Sequence, residues 1–268
     1  MDEPTPEQLA GNWNHVARLY AQNIDPATAH YAVDVVELAS VAATDLVLDV
    51  ASGYGAVTLL AAQRATEVVA VDFSSEMCAA LRERSDSAGT DNVVVREMDA
   101  QALDFPDDVF DAALSSFGVM IVPDRSEAFA EMARVTRPGG HLVVSSWQPP
   151  PHNDWMEIFL ETVSTALPDV TPTPPKFMEL ADPSRLRSEV EAAGWGDVDV
   201  VGVTHQAPWE EVDTAWAAIA ESNPVFGPLL EQLPAETVAR LRGTFDEILE
   251  SRGDVGVSAG AWGASGRA

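Results

Sequence analysis

The feature that most constrains this chain is a short apolar run that leads into a glycine-containing turn. Residues 47–50 read Val-Leu-Asp-Val, a loop with Gly53 and Gly55 follows, and a helical pattern begins at residue 56. Glycine lets the backbone turn tightly and approach a ligand closely, and a helix N-terminus offers free N–H groups. Such a turn at the carboxyl edge of a parallel sheet predicts a site for a nucleotide-like cofactor.

A second apolar run, residues 67–72, ends in an acid one helix later. This acid, Asp72, can accept hydrogen bonds from both hydroxyls of a ribose. The preceding loop is not a dinucleotide fingerprint, because Ala51 stands where that motif needs its first glycine. It is not a phosphate loop either, since no Gly-Lys-Ser/Thr sequence follows.

Strand patterns alternate with helical patterns along most of the chain, which predicts βαβ units and a parallel sheet. The predicted strands are residues 45–50, 67–72, 93–98, 109–116, 141–147, 198–203 and 255–262. The predicted helices are residues 12–21, 26–42, 56–64, 75–88 and 125–136, one between the Pro-rich segments 148–151 and 171–175, one from Pro183 with Asp182 as its N-cap, and a largely helical stretch 209–252.

Four motifs in order resemble those of the class I S-adenosylmethionine-dependent methyltransferases. They are Leu48–Gly55 with Ala51 at the family's common first glycine, Asp72 as the ribose-binding acid, Met98-Asp99-Ala100 as the adenine motif, and Arg137-Pro138-Gly139-Gly140 before the fifth strand. The resemblance is strong over residues 45–147. It implies an α/β fold: a Rossmann-like, doubly wound, seven-stranded, mostly parallel sheet with an antiparallel last strand, plus N-terminal helices and an inserted helical cap.

The resemblance and the shift in composition after Trp147 divide the chain into three parts. Residues 1–43 are expected to form N-terminal helices, and residues 44–148 the cofactor-binding core. Residues 149–268 are expected to complete the sheet, with the helical cap at about 206–252. A cap in this place is suited to cover the acceptor, because lids exclude water and enclose substrate.

The resemblance also implies which residues hold S-adenosylmethionine. By this resemblance, the loop after the first strand is expected to face the methionine portion, with Asp49 ordering the loop. Asp72 is expected to bind the ribose, and Asp99 and the Ala100 N–H to bind adenine. The end of the fourth strand is expected to lie beside the methyl group. For Tyr20 and Met77, ordinary helix packing is an equal alternative. The full predicted set is Tyr20, Asp49, Ala51, Ser52, Gly53, Asp72, Phe73, Met77, Asp99, Ala100, Ser115 and Phe117.

Two histidines are candidates for work on the acceptor. His152 follows the fifth strand, and with Asp154 it could deprotonate a hydroxyl near neutral pH. Because it lies in a Pro-rich loop, the alternative is a side chain that is simply solvated. His15, on the first helix, could face the acceptor or simply pack. His205 is expected to be structural and farther away. With a single cysteine, Cys78, no metal cluster is expected.

Charge narrows the class of partner. The chain has 15 basic and 43 acidic residues, a formal charge of −28. Nucleic acids and anionic lipid surfaces are bound through Lys and Arg, so neither is an expected partner. No apolar run is long enough for a membrane span, and the acidic start does not resemble a signal peptide. We expect a cytoplasmic protein, as a monomer or homodimer.

These observations predict an enzyme that transfers a methyl group from S-adenosylmethionine to a small molecule, apolar or aromatic, by in-line displacement. The core is similar to methyltransferases of quinone and natural-product biosynthesis. The alternative is a non-catalytic sensor that binds the same cofactor on the same fold, because fold does not fix function. An aminopropyl transferase, suggested by the acidic charge, would need carboxylates where Ser115 and Ser116 stand.

Overall fold

A computed structural model describes residues 4–170, 175–252 and 256–268. Within these residues, a seven-stranded sheet has the order β3-β2-β1-β4-β5-β7-β6. Strands β1 to β5 are parallel to one another, and β7 runs antiparallel to both β5 and β6. The predicted fold is thereby confirmed. The strands are β1 (Leu46–Val50), β2 (Glu67–Asp72), β3 (Val93–Glu97), β4 (Phe110–Ser116), β5 (Thr136–Trp147), β6 (Gly196–Gln206) and β7 (Ser258–Arg267).

Helices cover both faces of the sheet and its carboxyl edge. Three begin at a side chain that accepts a backbone N–H, namely α4 at Ser74, α5 at Asp124 and α7 at the predicted cap Asp182. The helices are α1 (Ala10–Asn23), α2 (Asp25–Leu38), α3 (Ala56–Ala62), α4 (Ser75–Ala88), α5 (Arg125–Val135), α6 (Asp154–Ala166), α7 (Pro183–Ala192), α8 (Val212–Trp216), α9 (Phe226–Leu230) and α10 (Ala235–Arg252).

The central strands are buried on both sides, which explains their unbroken apolar sequences. Strand β1 pairs with β2 on one side and with β4 on the other, so the strand order reverses between β1 and β4. In open α/β sheets, a crevice forms at the carboxyl ends of the strands beside such a reversal. The fold therefore places the glycine turn after β1 at a ligand-binding edge.

Two of the predicted strands that differ from the structure are the fifth and the last. The fifth begins at Thr136 rather than 141, because Phe110 pairs with Thr136 and the register then shifts, so that Ala112 pairs with His141. The last strand extends to Arg267, because it is hydrogen-bonded on both edges, to β5 and β6. The predicted start of this strand at residue 255, and residues 171–174 of the second Pro-rich segment, lie outside the described residues.

Helix α1 connects the edge of the sheet to the helices that follow β6. Its Asn14 Oδ1 accepts a hydrogen bond of 2.7 Å from Ser74 Oγ at the start of α4. At its other end, the Asn23 carbonyl accepts from Trp209 Nε1 at 3.0 Å, and Asn23 Nδ2 donates to Ser222 Oγ at 2.9 Å.

None of the helices formed by the described residues has the length and apolar character required to span a bilayer.

Candidate active site

A large cavity opens at the carboxyl ends of β1, β2 and β4. The space between its walls, with the open solvent at its mouth included, is about 1450 Å³. The strand ends form its floor, while α1, α2 and the 206–252 segment form its walls, the last through Ala218, Ile219 and residues 223–225. The cavity therefore lies where the carboxyl ends of these strands, α1, α2 and the 206–252 segment meet.

The glycine turn after β1 forms one wall with little side chain. Ala51, Gly53 and Gly55 all have positive φ, of 52°, 53° and 86°. Nothing lies within 4 Å of the position a Cβ would take on Gly53, so a ligand can approach the bare backbone there. The buried Ser52 Oγ has no hydrogen-bond partner among the described residues. A buried hydroxyl without a partner is costly, and a bound ligand is one way to satisfy it.

Asp72 is held at the end of β2 by two backbone donors. Gly53 N–H donates to Oδ2 and Ser74 N–H donates to Oδ1, each at 2.8 Å. Burial raises the pKa of Asp72 to about 6, against the lowering effect of these hydrogen bonds. A carboxylate has about four acceptor sites, so two remain for donors of a ligand. The side chain thus links the two loops and still has capacity for a pair of hydroxyls.

Asp49 lies beneath the turn and accepts a 2.5 Å hydrogen bond from Thr58 Oγ1 on α3. Both residues are almost completely buried. Burial raises the pKa of Asp49 to about 7, the Thr58 hydrogen bond lowers it, and the nearby Asp72 raises it further. This bond joins β1 to the helix that follows the turn and so fixes the shape of the turn.

One face of α2 contributes polar groups that the sequence interpretation missed. Asp25, Thr28 and Tyr31 all line the cavity, and their spacing of three residues is the signal that could have revealed them. Arg84 on α4 donates to Asp25 at 3.1 Å and to the Tyr54 carbonyl at 2.9 Å. Burial raises the pKa of Asp25, and the Arg84 guanidinium partly offsets that effect. The pair ties α2 to the glycine turn.

The other half of the cavity is aromatic. The Phe117 and Trp147 rings, at the ends of β4 and β5, stack with centroids 3.8 Å apart. Tyr31 packs edge-on against both, at 5.1 and 5.4 Å, and Trp155 packs edge-on against Trp147 at 5.8 Å. Burial raises the pKa of Tyr31 to about 12. Offset and edge-on ring contacts of this kind offer a flat, apolar surface for another ring.

The structure brings most of the predicted cofactor residues to this one cavity. Those that line it are Tyr20, Asp49, Ala51, Ser52, Gly53, Asp72, Phe73 and Phe117. Burial raises the pKa of Tyr20, and the charge of Asp25 adds to that effect. The roles of the predicted residues that line the cavity toward a cofactor remain predictions.

Four predicted cofactor residues are not among those that line the cavity. Asp99 is exposed, and both of its oxygens accept hydrogen bonds from the Gln101 side chain, at 2.9 and 3.1 Å. Ala100 is part of the hydrophobic core. Met77 is buried on α4, and Ser115 Oγ accepts from the Val119 N–H at 3.2 Å. The predicted adenine contacts are therefore not brought to the cavity here.

The histidines differ most from the prediction. His152 is exposed and lies at a separate cavity beside Trp262, and Asp154 accepts from Ser258. His15 pairs with Glu231 on the surface, at 3.0 Å. Neither lines the large cavity.

His205 does line that cavity, so the expectation that it lies farther away is wrong. It reaches the cavity because the end of β6 packs against α2, where the imidazole contacts Asp34 and Tyr31. Its placement by a long-range pairing leaves no local signal in the sequence. Glu7, in the short 3-10 helix Pro6–Gln8, also lines the cavity and was missed.

Comparisons with known proteins identify the class. The family described as "Methyltransferase domain" matches residues 48–144. A demethylmenaquinone methyltransferase of Mycolicibacterium gilvum is 34% identical over 213 residues, covering 73% of this chain and 90% of the relative. One of Mycolicibacterium vanbaalenii is 39% identical over 168 residues, covering 58% and 70%.

Solved structures show the same fold at low identity. The crystal structure of the [4+2]-cyclase SpnF is 18% identical, with a TM-score of 0.63 and coverage of 98% of this chain and 97% of that one. The YcgJ protein from Bacillus subtilis is 18% identical, with a TM-score of 0.58 and coverage of 89% and 98%.

The fold and the turn after β1 define a Rossmann-like methyltransferase. The chain belongs to the class I S-adenosylmethionine-dependent methyltransferases. The prediction of a methyltransferase with S-adenosylmethionine as donor and a small molecule as acceptor is confirmed.

Proposed function

We propose that this enzyme methylates an apolar, aromatic small molecule of the quinol or phenol type. The stacked Phe117 and Trp147 rings at the ends of β4 and β5 carry this proposal, because they offer a flat apolar surface beside the turn where the methyl donor would bind. The two relatives named as demethylmenaquinone methyltransferases support the same type of acceptor.

The residues around the glycine turn suit S-adenosylmethionine. Asp72 has acceptor sites for the ribose hydroxyls, and the unpartnered Ser52 Oγ and the bare backbone of Gly53 suit the methionine portion. Four acids line the cavity, and no Lys or Arg is among its described lining residues. Asp25 is already paired with Arg84, and the carboxylates without such a partner favour a cationic ligand such as a sulfonium. The acids are Glu7, Asp25, Asp49 and Asp72.

The protein's own contribution is binding and orientation. The bound cofactor supplies an activated methyl carbon, so no protein nucleophile is required. Holding two reactants in line can lower a barrier by about 7–11 kcal/mol. In our proposal, the turn after β1 fixes one reactant, and the aromatic wall of Phe117, Trp147 and Trp155 fixes the other.

The three-part division predicted from sequence gives the remaining residues a role. We assign residues 1–43 and the cap at 206–252 to the walls that close over the reactants. In support, Tyr20 on α1 and Ile219 in the cap both line the cavity, and the Asn23 contacts with Trp209 and Ser222 join these two parts. Closure of this kind would exclude water during transfer.

Two measurements test the proposal. Calorimetry with S-adenosylhomocysteine should show binding, and reduced naphthoquinones incubated anaerobically with S-adenosylmethionine should yield a methylated product by mass spectrometry. Trp147→Ala should raise the acceptor KM at least tenfold and leave S-adenosylhomocysteine affinity unchanged. Trp262→Ala, away from the large cavity, is the matched control. If the protein binds the cofactor product and methylates no aromatic acceptor in such a panel, the aromatic assignment is refuted.

A further inference from the structure

His205 forms a pair with Asp34 at the wall of the cavity. The distance from His205 Nε2 to Asp34 Oδ2 is 2.6 Å, and both side chains are partly buried. A carboxylate at this distance fixes the proton on Nε2 and leaves the lone pair on Nδ1. The other ring nitrogen, Nδ1, makes no hydrogen bond to any of the described residues. An imidazole with one nitrogen held and the other available is arranged as a base.

The imidazole lies on the aromatic side of the cavity. Its ring packs edge-on against Tyr31 with centroids 4.8 Å apart, and Tyr31 contacts Phe117 and Trp147 in turn. Tyr31 therefore joins His205 to the residues at the ends of β4 and β5 through its own ring contacts. Among the described residues that line the cavity, His205 is the only histidine.

We propose that His205 is the general base of the reaction, that Asp34 positions it, and that the acceptor is a neutral aromatic or enolic hydroxyl. This inference rests on the proposed function and deepens it by naming the reacting group. An amine acceptor with a free lone pair would have no need of this base, whereas a hydroxyl must lose its proton to become a strong nucleophile.

The step balances without any further reactant. The hydroxyl proton moves to Nδ1 of His205, and the electron pair left on oxygen forms the new bond to the methyl carbon. The carbon–sulfur bond breaks, and its electron pair stays on sulfur as a neutral thioether. The imidazolium, stabilised by the Asp34 carboxylate, then releases its proton to solvent.

The surroundings of His205 contain few other ionisable groups. Helix α2 presents Asp34, Tyr31 and also His30, whose ring stacks on His205 with centroids 5.6 Å apart. Strand β7 pairs Ala259 with His205 and presents no ionisable group at that position. His30 is exposed and does not line the cavity, so His30→Gln is a matched control for the loss of a neighbouring imidazole.

The test uses 4-nitrophenol, a phenol that reports its own ionisation by the absorbance of the phenolate. The full chain is saturated with S-adenosylhomocysteine and titrated with 4-nitrophenol at a pH where the free probe is protonated. Wild-type protein and His30→Gln should produce phenolate absorbance on binding. His205→Gln, which can still pair with Asp34, should bind the probe and reduce that absorbance at least tenfold. Asp34→Asn should reduce the phenolate absorbance by a smaller factor, and Asp34→Glu, which keeps a carboxylate, should give the wild-type absorbance.

The outcomes separate this inference from the proposed function. If His205→Gln gives the same phenolate absorbance as wild type, or if wild type binds the probe without any phenolate, His205 is not the base and the aromatic acceptor still stands. If calorimetry shows that wild type does not bind 4-nitrophenol at all, both the aromatic acceptor and the base are refuted. Unchanged affinity for S-adenosylhomocysteine in every variant shows that the fold is intact.

Discussion

The buried Asp49–Thr58 pair predicts an unusual pH dependence of stability. Asp49 has an ordinary carboxyl pKa in the unfolded chain, and burial raises it to about 7 in the folded protein. The folded state therefore keeps a proton that the unfolded state has lost, between pH 3.8 and about 7. Stability due to this group is fully present below the lower value and is lost as the pH rises through the higher one. Asp49→Asn cannot ionise and should not show this loss.

The size of the effect follows from the pKa difference. Each pKa unit corresponds to 1.36 kcal/mol, so the ionisation of Asp49 costs about 4 kcal/mol over its full range and about 3 kcal/mol between pH 5 and 8.5. The free energy of unfolding of Asp49→Asn, relative to wild type, should therefore rise by about 3 kcal/mol across that interval. Self-repulsion from the net charge of −28 is nearly the same in both proteins and cancels in the difference.

Urea unfolding followed by tryptophan fluorescence at several pH values between 5 and 8.5 provides the measurement. Thr58→Val should change stability in the opposite direction, because it removes the donor to the Asp49 carboxylate. Its free energy of unfolding should be lower than that of wild type by about 1.5–3 kcal/mol at pH 8.5, and by less at pH 5. If the difference between Asp49→Asn and wild type stays constant with pH, the argument that burial keeps Asp49 protonated is refuted.

Three further predictions concern the turn and the cavity. Gly55→Ala should lower the free energy of unfolding by about 2–5 kcal/mol, because the residue has a positive φ and the new Cβ would overlap Leu81. Gly89→Ala also has a positive φ but open space around it, so it should lower that free energy by only about 1 kcal/mol. Thermal melting of the two variants provides the comparison. Glu7→Gln removes a buried carboxylate with no partner among the described residues, so it should raise the melting temperature of the ligand-free protein. In calorimetry, it should weaken the binding of cationic S-adenosylmethionine more than the binding of S-adenosylhomocysteine. Equal weakening of both would contradict the charge argument. Asp72→Asn should lower S-adenosylhomocysteine affinity at least tenfold, because an amide has one acceptor oxygen in place of two; unchanged affinity would remove Asp72 from the site.

The sequence predicted best what local patterns determine. The strand at 67–72 and the helix at 75–88 match the structure residue for residue, because the apolar run ends at Asp72 and Ser74 caps the helix. Likewise, Asp49 and the turn after it lie at the strand end where the motif placed them. Such features depend on propensity, capping and turn chemistry within a few residues.

Long-range pairing explains what the sequence did not reveal. His205 enters the cavity through the position of β6 in the sheet, and no neighbouring residue indicates that position. The last strand continues through Gly263 and Gly266, which disfavour strands locally, because β5 and β6 bond to both of its edges. His152 lies next to β5 in sequence, but the loop that carries it leads away from the cavity.

The position of β7 has a consequence for how the molecule is made. The segment Ser258–Arg267 is synthesised after all other strands, yet it lies between β5 and β6 and hydrogen-bonds to both. On the ribosome, strands β1 to β4 can pair and pack while β6 has no neighbour. The glycine turn after β1 and Asp72 can therefore be placed early, whereas the ends of β5 and β6, which carry Trp147 and His205, are joined through β7 only after that segment has been made. Nascent chains thus form the glycine-turn side of the cavity before its aromatic side.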